Sequence, residues 1–184
     1  MASSPSATST RGALRFAGKV VIALLSVLAN DPCSRLSTHS LGSVRGNVGV
    51  PFRSVELPEI VATMPFAVTL GIEITQASPD GVTATLDHRA ELCTTAGVLH
   101  GGALMTLADT AGAVCAFLNL PSGARTSTLE SKTNFLRAVT SGRATAKCAP
   151  VHVGRSTIVL QTEVRDESDR LVVLTTQTQT VLSR

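Results

Sequence analysis

Aromatic side chains are scarce in this chain: its 184 residues include no tryptophan, no tyrosine and five phenylalanines. Proteins that bind single-stranded nucleic acids usually stack bases on aromatic rings, so this scarcity argues against that function. The charge distribution argues against it as well. Residues 1–54 hold six Lys or Arg and a single acid, Asp31, and the remaining residues hold ten bases and twelve acids. The net charge of +3 therefore comes from the N-terminal segment, and we exclude nucleic-acid binding.

The chain also lacks cysteine motifs and long apolar runs. Cys33, Cys93, Cys115 and Cys148 show no CxxC spacing and no clustering with histidine. A zinc site or a disulfide framework is therefore not supported, and a reducing compartment is expected. The apolar run Val20–Ala29 is too short to cross a bilayer, which takes about 20 residues. We predict no metal and no membrane span.

Residues 1–54 differ in composition from the rest of the chain. Their ten serines, six bases and one acid resemble an organelle transit peptide. Three alternatives stay open: an extension without an address function, an upstream start codon wrongly chosen, and a secretory signal with Val20–Ala29 as its apolar region. We predict a poorly ordered extension over 1–54 and one domain over 55–184. The expected location is the cytoplasm, or the mitochondrion or plastid if the segment is a transit peptide.

The domain begins with short elements. Leu57–Met64 reads as a short helix, and the proline at position 58 is tolerated in its first turn. Phe66–Ala77 reads as a strand. Pro79–Gly81 is a turn signal, after which apolar and polar residues alternate in 82–87, as in a strand with one buried face.

One long helical pattern follows. Apolar residues recur at steps of three and four, at Leu104, Leu107, Ala108, Ala111, Cys115 and Leu118. Gly101, Gly102 and Gly112 reduce the bulk of this helix, so another element should pack closely against it. The helix should end near Pro121–Gly123.

Four strands are predicted after the helix, over Arg125–Leu136, Arg143–Val153, Ser156–Arg165 and Leu171–Leu182. Short turns separate them, and short connections favour antiparallel neighbours. The fold class is therefore α+β, with one curved antiparallel sheet wrapped around one helix.

His100, Gly101 and Gly102 open the long helix. Free backbone N–H groups and the positive end of the helix dipole favour a partial negative charge there, such as a polarised carbonyl oxygen. Glycine lets a substrate approach this backbone closely. A glycine-rich helix start without a function explains the same three residues, so the motif alone is a weak signal.

Asp109 is the only charged residue between Glu91 and Arg125. It lies two turns into an apolar helix, where a capping or dipole role is excluded. An uncompensated buried carboxylate is costly, so Asp109 should face a polar cavity, a partner or a substrate. The alternative is an exposed or locally satisfied side chain.

The spacing of Gly101 and Asp109 indicates an oligomer. Eight residues of helix span about 12 Å at 1.5 Å per residue. A carboxylate that far down the same helix cannot attack a carbonyl held at the Gly101 N–H. If both groups act on one substrate, one of them comes from a second chain, which predicts a two-fold homodimer with two composite sites. Association into a dimer of dimers stays open.

Four segments resemble the PaaI-type hotdog-fold acyl-CoA thioesterases. Residues 92–113 (LCTTAGVLHGGALMTLADTAGA) are similar to the signature of that family, and 64–74, 130–138 and 151–155 match it in order and spacing. The resemblance covers about residues 57–182. It implies a hotdog fold and hydrolysis of an acyl-CoA thioester, without a metal or redox cofactor.

The resemblance also implies roles for individual residues. Asp109 occupies the place of the catalytic carboxylate, Gly101 that of the carbonyl-polarising N–H with His100 beside it, and Thr128 that of an orienting hydroxyl. Thr94 is a departure, because relatives usually carry Asn or Gln there. The implied substrate-binding residues are Gly102, Phe135, Leu136, Arg137, Val153, Gly154 and Arg155, with Arg155 placed to bind a phosphate of coenzyme A.

Two other functions stay open. Hydratases and dehydratases of acyl thioesters share the fold but have a different sequence pattern, in which a catalytic histidine is paired with an acid from elsewhere in the dimer. Here Asp109 is the only acid after the HGG motif until Glu130. A non-catalytic acyl-CoA-binding module is the third candidate, because of Thr94.

Overall fold

The computed structural model describes residues 57–183. The predicted extension over 1–54, the apolar run Val20–Ala29 and Cys33 lie outside this range. The description therefore begins inside the predicted domain and covers all candidate site residues.

Two short helices precede the sheet, where one was expected. Helix α1 spans Leu57–Ala62 and helix α2 spans Pro65–Leu70. The predicted strand Phe66–Ala77 is wrong in its first half, since strand β1 spans only Glu73–Ser78. Pro65 favours a helix start because its φ is already helical, and Gly71 ends the helix with φ 72°. The pattern of apolar residues over 66–70 is too short to distinguish a helix from a strand.

The predicted hairpin and long helix are confirmed. Strand β1 pairs antiparallel with β2, Gly81–Asp87, across the tight turn at Pro79–Asp80. Val82, Ala84 and Leu86 form the buried face that the alternation predicts. Two 3₁₀ turns, Ala90–Leu92 and Thr95–Gly97, lead into helix α3, Gly101–Leu118.

The four later strands are β3 Arg125–Phe135, β4 Arg143–Val153, β5 Thr157–Arg165 and β6 Leu171–Leu182. With β1 and β2 they form one antiparallel sheet in the order β1-β2-β4-β5-β6-β3. The expectation that consecutive strands are neighbours fails for β3, which pairs with β6 and not with β4. Residues 136–142 are long enough to carry the chain away from β3, so β3 becomes an edge strand.

The core lies between α3 and the concave side of the sheet, and α3 contacts all six strands. The predicted stripe is buried at Leu104, Leu107, Ala108, Ala111 and Cys115, and Leu118 is partly buried against it. Burying one leucine side chain contributes about 1.5–3 kcal/mol. Among the described helices, α3 alone has the length and composition of a membrane span, and it is the helix that the sheet encloses.

Candidate active site

Among the residues that the structure describes, the start of α3 presents one free backbone donor. His100 is the N-cap residue, and its Nδ1 accepts the Gly102 N–H at 2.9 Å. The His100 carbonyl accepts the next two N–H groups along the helix. Within the described residues the Gly101 N–H has no acceptor. Because Nδ1 is an acceptor, neutral His100 carries its proton on Nε2, on an exposed ring.

The loop before α3 places Thr94 near this helix start. The Thr94 N–H donates to the Val98 carbonyl at 2.8 Å, and the His100 N–H donates to the Leu92 carbonyl at 2.8 Å. Nε2 of His88 lies 2.8 Å from the Gly97 carbonyl and steadies the loop. Thr94 is exposed, and the bonds of residues 92–100 and the bridge between Cys93 and Leu99 place it beside the His100–Gly101 end of α3.

Asp109 is half-buried and belongs to a polar cluster with β3 and β6. Its Oδ1 accepts from the Thr128 hydroxyl at 3.4 Å and from Gln177 Nε2. Gln179 Nε2 donates to the Thr128 Oγ1 at 2.9 Å. The Thr128 hydroxyl therefore accepts from Gln179 and donates to Asp109, which agrees with an orienting role for Thr128.

Gln177 and Gln179 were missed by the sequence interpretation. Both are only 1% exposed, on the face of β6 that looks toward α3. The sequence did contain a signal for them. The two glutamines are two residues apart and share a face of the strand with the apolar Val173. A strand that covers a helix should carry apolar residues on that face. Polar residues at core-facing positions of a strand indicate a functional or specifically paired site.

Within residues 57–183, the side-chain amide of Gln177 is hydrogen-bonded through its nitrogen but not through its oxygen. Its Oε1 is buried and has no hydrogen-bond partner among the described residues. It lies against Gly112 of α3, at the point where a β-carbon would be. This explains the close packing that Gly112 predicts. Leaving a buried acceptor unpaired costs on the order of 1–3 kcal/mol.

The structure keeps the two predicted halves of the site apart within one chain. At the Gly101 end, a β-carbon built on Gly101 would lie 3.1 Å from the ring of Phe135, at the end of β3. At the Asp109 end, the neighbouring residue is Thr128, near the start of β3. Strand β3 therefore runs antiparallel to α3, and each of its ends lies beside one half of the site.

The other substrate-binding candidates occupy two places. Leu136 and Arg137 follow Phe135, where both N–H groups donate to the Val172 carbonyl and the Arg137 guanidinium donates to the Leu171 carbonyl at 2.7 Å. Val153, Gly154 and Arg155 lie at the β4–β5 turn. Arg155 is exposed and makes no ion pair within the described residues.

The β4–β5 turn lies at the Asp109 end of the sheet. Val153 pairs with Ile158, Ile158 with Gln179, and Gln179 with Thr128. Three strand spacings of about 4.8 Å separate Val153 from Thr128. The structure thus brings this turn to the same end of the sheet as Asp109, and Phe135 and its neighbours to the other end.

One face of α3 is left uncovered by the sheet. Gly101, Asp109 and Ala113 are half-buried, and Met105 between them is 40% exposed. These residues recur at every fourth position and so form one stripe. A cleft of about 590 Å³ lined by Val61 and Val68 lies instead along β1, at the opposite edge of the sheet from β3.

Comparison with known proteins assigns this architecture to a family. Residues 96–173 match the thioesterase superfamily. A crystal structure of a thioesterase from Haemophilus influenzae superposes with a TM-score of 0.67 at 31% identity, over 71% of this chain and 93% of that one. The chain therefore belongs to the thioesterase superfamily and is a thioester hydrolase with the hotdog fold.

Two curated relatives have named activities. The proofreading thioesterase EntH of Cronobacter turicensis is 33% identical over 101 residues, which cover 55% of this chain and 74% of that protein. The 1,4-dihydroxy-2-naphthoyl-CoA hydrolase of Escherichia coli is 32% identical over 102 residues, which cover 55% and 75%. These similarities hold for the domain and leave the PaaI subtype a prediction.

Proposed function

We propose that the chain hydrolyses an acyl-CoA thioester to free coenzyme A and a carboxylic acid. The observation that carries the proposal is the pair of groups on the uncovered face of α3: the Asp109 carboxylate, which accepts from the Thr128 hydroxyl, and the Gly101 N–H, which has no acceptor within the described residues. The relative that acts on a naphthoyl-CoA supports coenzyme A as the thiol part of the substrate.

The chemistry needs one carboxylate and one carbonyl-polarising donor. The Gly101 N–H would bind the carbonyl oxygen as it gains negative charge. Asp109 would attack the carbonyl carbon and expel the thiolate, leaving an anhydride that water hydrolyses, or it would take a proton from a water that attacks directly. In both routes the C–S bond breaks and the thiolate leaves. Neither route requires a metal or a redox cofactor.

The site would be completed by a second copy of the chain. Strand β3 is an edge strand whose outer edge is unpaired in the described chain, and Leu129 on it is 63% exposed. Antiparallel pairing of two β3 strands about a point between Ser131 and Lys132 would set Phe135 of one chain opposite Thr128 of the other. That pairing would bring the Gly101 half of one protomer to the Asp109 half of its partner. Two such dimers can associate further.

The acyl group and the coenzyme A would occupy different surfaces. Met105 lies between Gly101 and Asp109 on the uncovered stripe, where an apolar acyl group would pack. Phe135, Arg137 and Arg155 would border the coenzyme A, and Arg155, which makes no ion pair within the described residues, would bind a phosphate. The proposed location is the cytoplasm, because the substrate would be an ester of coenzyme A. Import into a mitochondrion or plastid would depend on residues 1–54.

The test of the proposal is turnover. We expect purified protein to release thiol from at least one member of a panel of aryl-, branched- and medium-chain acyl-CoA esters, detected with a thiol reagent, and kcat/KM to rank the acyl groups. Binding of acyl-CoA without thiol release would favour the non-catalytic module. Hydration of an enoyl-CoA without thiol release would favour the hydratase.

Thr94 provides a prediction on the departure from the family pattern. We expect Thr94→Asn to preserve or raise kcat, because an amide reaches farther toward the substrate carbonyl or a water. Thr94→Val should lower kcat, because it removes the hydroxyl and keeps the shape. Both variants should unfold at the wild-type temperature, since Thr94 is exposed. Equal rates for all three proteins would show that this side chain does not touch the reaction.

A further inference from the structure

We propose that Gln177 is a positioning residue for the reaction: its side-chain amide fixes the Asp109 carboxylate so that Oδ2 is the oxygen that acts. This inference rests on the hydrolytic role proposed for Asp109. Gln177 lies beyond residues 96–173, the range that matches the thioesterase superfamily, so the family match assigns it no role.

The hydrogen bonds around Asp109 are asymmetric. Gln177 Nε2 and the Thr128 hydroxyl both donate to Oδ1. Within the described residues, Oδ2 accepts no hydrogen bond. A carboxylate oxygen that accepts two donors is less available for attack or for proton transfer than one that accepts none. The arrangement therefore reserves Oδ2 for the carbonyl carbon or for the attacking water.

The amide of Gln177 is itself held in one orientation. Its Nε2 donates to Asp109 Oδ1 and also to the Thr128 Oγ1 at 3.4 Å, and the same Oγ1 accepts from Gln179 Nε2 at 2.9 Å. Nε2 of Gln177 faces the carboxylate, which accepts and does not donate when ionised. The opposite orientation would direct Oε1 at Asp109 and repel it. The unpaired Oε1 against Gly112 is the consequence of directing Nε2 at Asp109.

This arrangement lowers the stability of the fold and orients the Asp109 carboxylate. A positioning role explains that combination, whereas a purely structural role does not. If Gln177 served only the fold, an apolar side chain of similar length would be the better choice, because it removes the unpaired buried oxygen. Retaining an amide there makes sense if its N–H performs a task at Asp109. A substitution can therefore harm catalysis without harming the fold.

The experiment compares Gln177→Met with the wild type. Methionine keeps the length of the side chain and removes both the N–H donor and the unpaired oxygen. We expect kcat for thioester hydrolysis to fall about 10- to 100-fold, with KM within about twofold and the thermal unfolding midpoint within about 3 °C of the wild type or higher. Wild-type kcat in the folded variant would overturn the proposal. So would a loss of kcat explained by a lower folded fraction.

Two further variants control for the location and the folding of Gln177→Met. Thr175→Val removes another buried polar group from the same face of β6, one whose hydroxyl bonds to Thr133 and not to Asp109. It should leave kcat unchanged. Gly112→Ala puts a methyl group where Gln177 Oε1 lies and should displace the amide, lowering kcat although Gln177 is present. Wild-type kcat in folded Gly112→Ala, with the amide shown to be displaced, would overturn the proposal independently.

The double variant with Asp109→Asn separates the possible failures. If Gln177 acts through Asp109, adding Gln177→Met to Asp109→Asn should lower the residual rate no further. If Gln177→Met lowers the residual kcat of Asp109→Asn by the same factor as it lowers that of the wild type, Gln177 acts elsewhere and the positioning role is overturned. If instead the wild type releases no thiol from any thioester, the proposed function itself fails; if Asp109→Asn keeps the wild-type rate, the role proposed for Asp109 fails. Either failure is visible before Gln177 is tested.

Discussion

Replacing Asp109 with asparagine is expected to abolish most thioester hydrolysis while leaving the fold intact. Asparagine is nearly isosteric with aspartate, and the Thr128 hydroxyl can still donate to its side-chain oxygen. The charge is lost, so the residue can neither attack a carbonyl nor take a proton from water. We expect kcat to fall at least about a hundredfold, measured as thiol release under substrate saturation.

The control for Asp109→Asn is Asp80→Asn, which makes the same chemical change at the exposed β1–β2 turn. It should retain wild-type kcat. Circular dichroism and the unfolding midpoint of both variants should match those of the wild type. A folded Asp109→Asn protein with near-normal kcat would show that the carboxylate is structural and that the proposed mechanism is wrong.

Mixing two inactive variants is expected to restore activity if the site is shared between chains. Asp109→Asn lacks the carboxylate, and Gly101→Pro lacks the donating N–H at a helix position where proline is tolerated. A mixed dimer then has one site with both defects and one site with neither. Random exchange makes half of the dimers mixed, so activity should approach about a quarter of the wild-type value per total site.

Gly101→Ala is the matched control for the proline variant. Its β-carbon meets the Phe135 ring as the proline ring would, but its N–H is retained. We therefore expect Gly101→Ala to be far more active than Gly101→Pro. Mixtures that stay inactive although heterodimers are demonstrated, for example by differential tagging, would show that each chain contains a complete site.

Most of the local structure of residues 57–183 follows from the amino-acid sequence alone. The apolar stripe of α3 and the turn residues predicted a helix and five of the six strands with nearly correct bounds, because side-chain periodicity and turn chemistry are local properties. The exception, residues 66–70, is a stretch in which apolar alternation fits a helix and a strand equally well. There Pro65 and Gly71 decided the structure, and they were the stronger signals.

The sequence also determined the separation of Gly101 and Asp109. Helical rise is fixed, so eight residues set the distance whatever surrounds them. From that number alone followed the expectation of a site shared between two chains. The identity of Asp109 as an unusual residue was equally local, since a single acid in an apolar helix is visible without a structure.

The two glutamines of the cluster around Asp109 became apparent only from the tertiary structure. The pairing of β3 with β6, not with β4, brings Thr128 beside Gln179 and leaves β3 at the edge of the sheet. The same pairing sets Gln177, 68 residues from Asp109 along the chain, against its carboxylate. Strand order depends on which distant segments bury their faces together on α3. That is a property of the whole core, and no local pattern of residues encodes it.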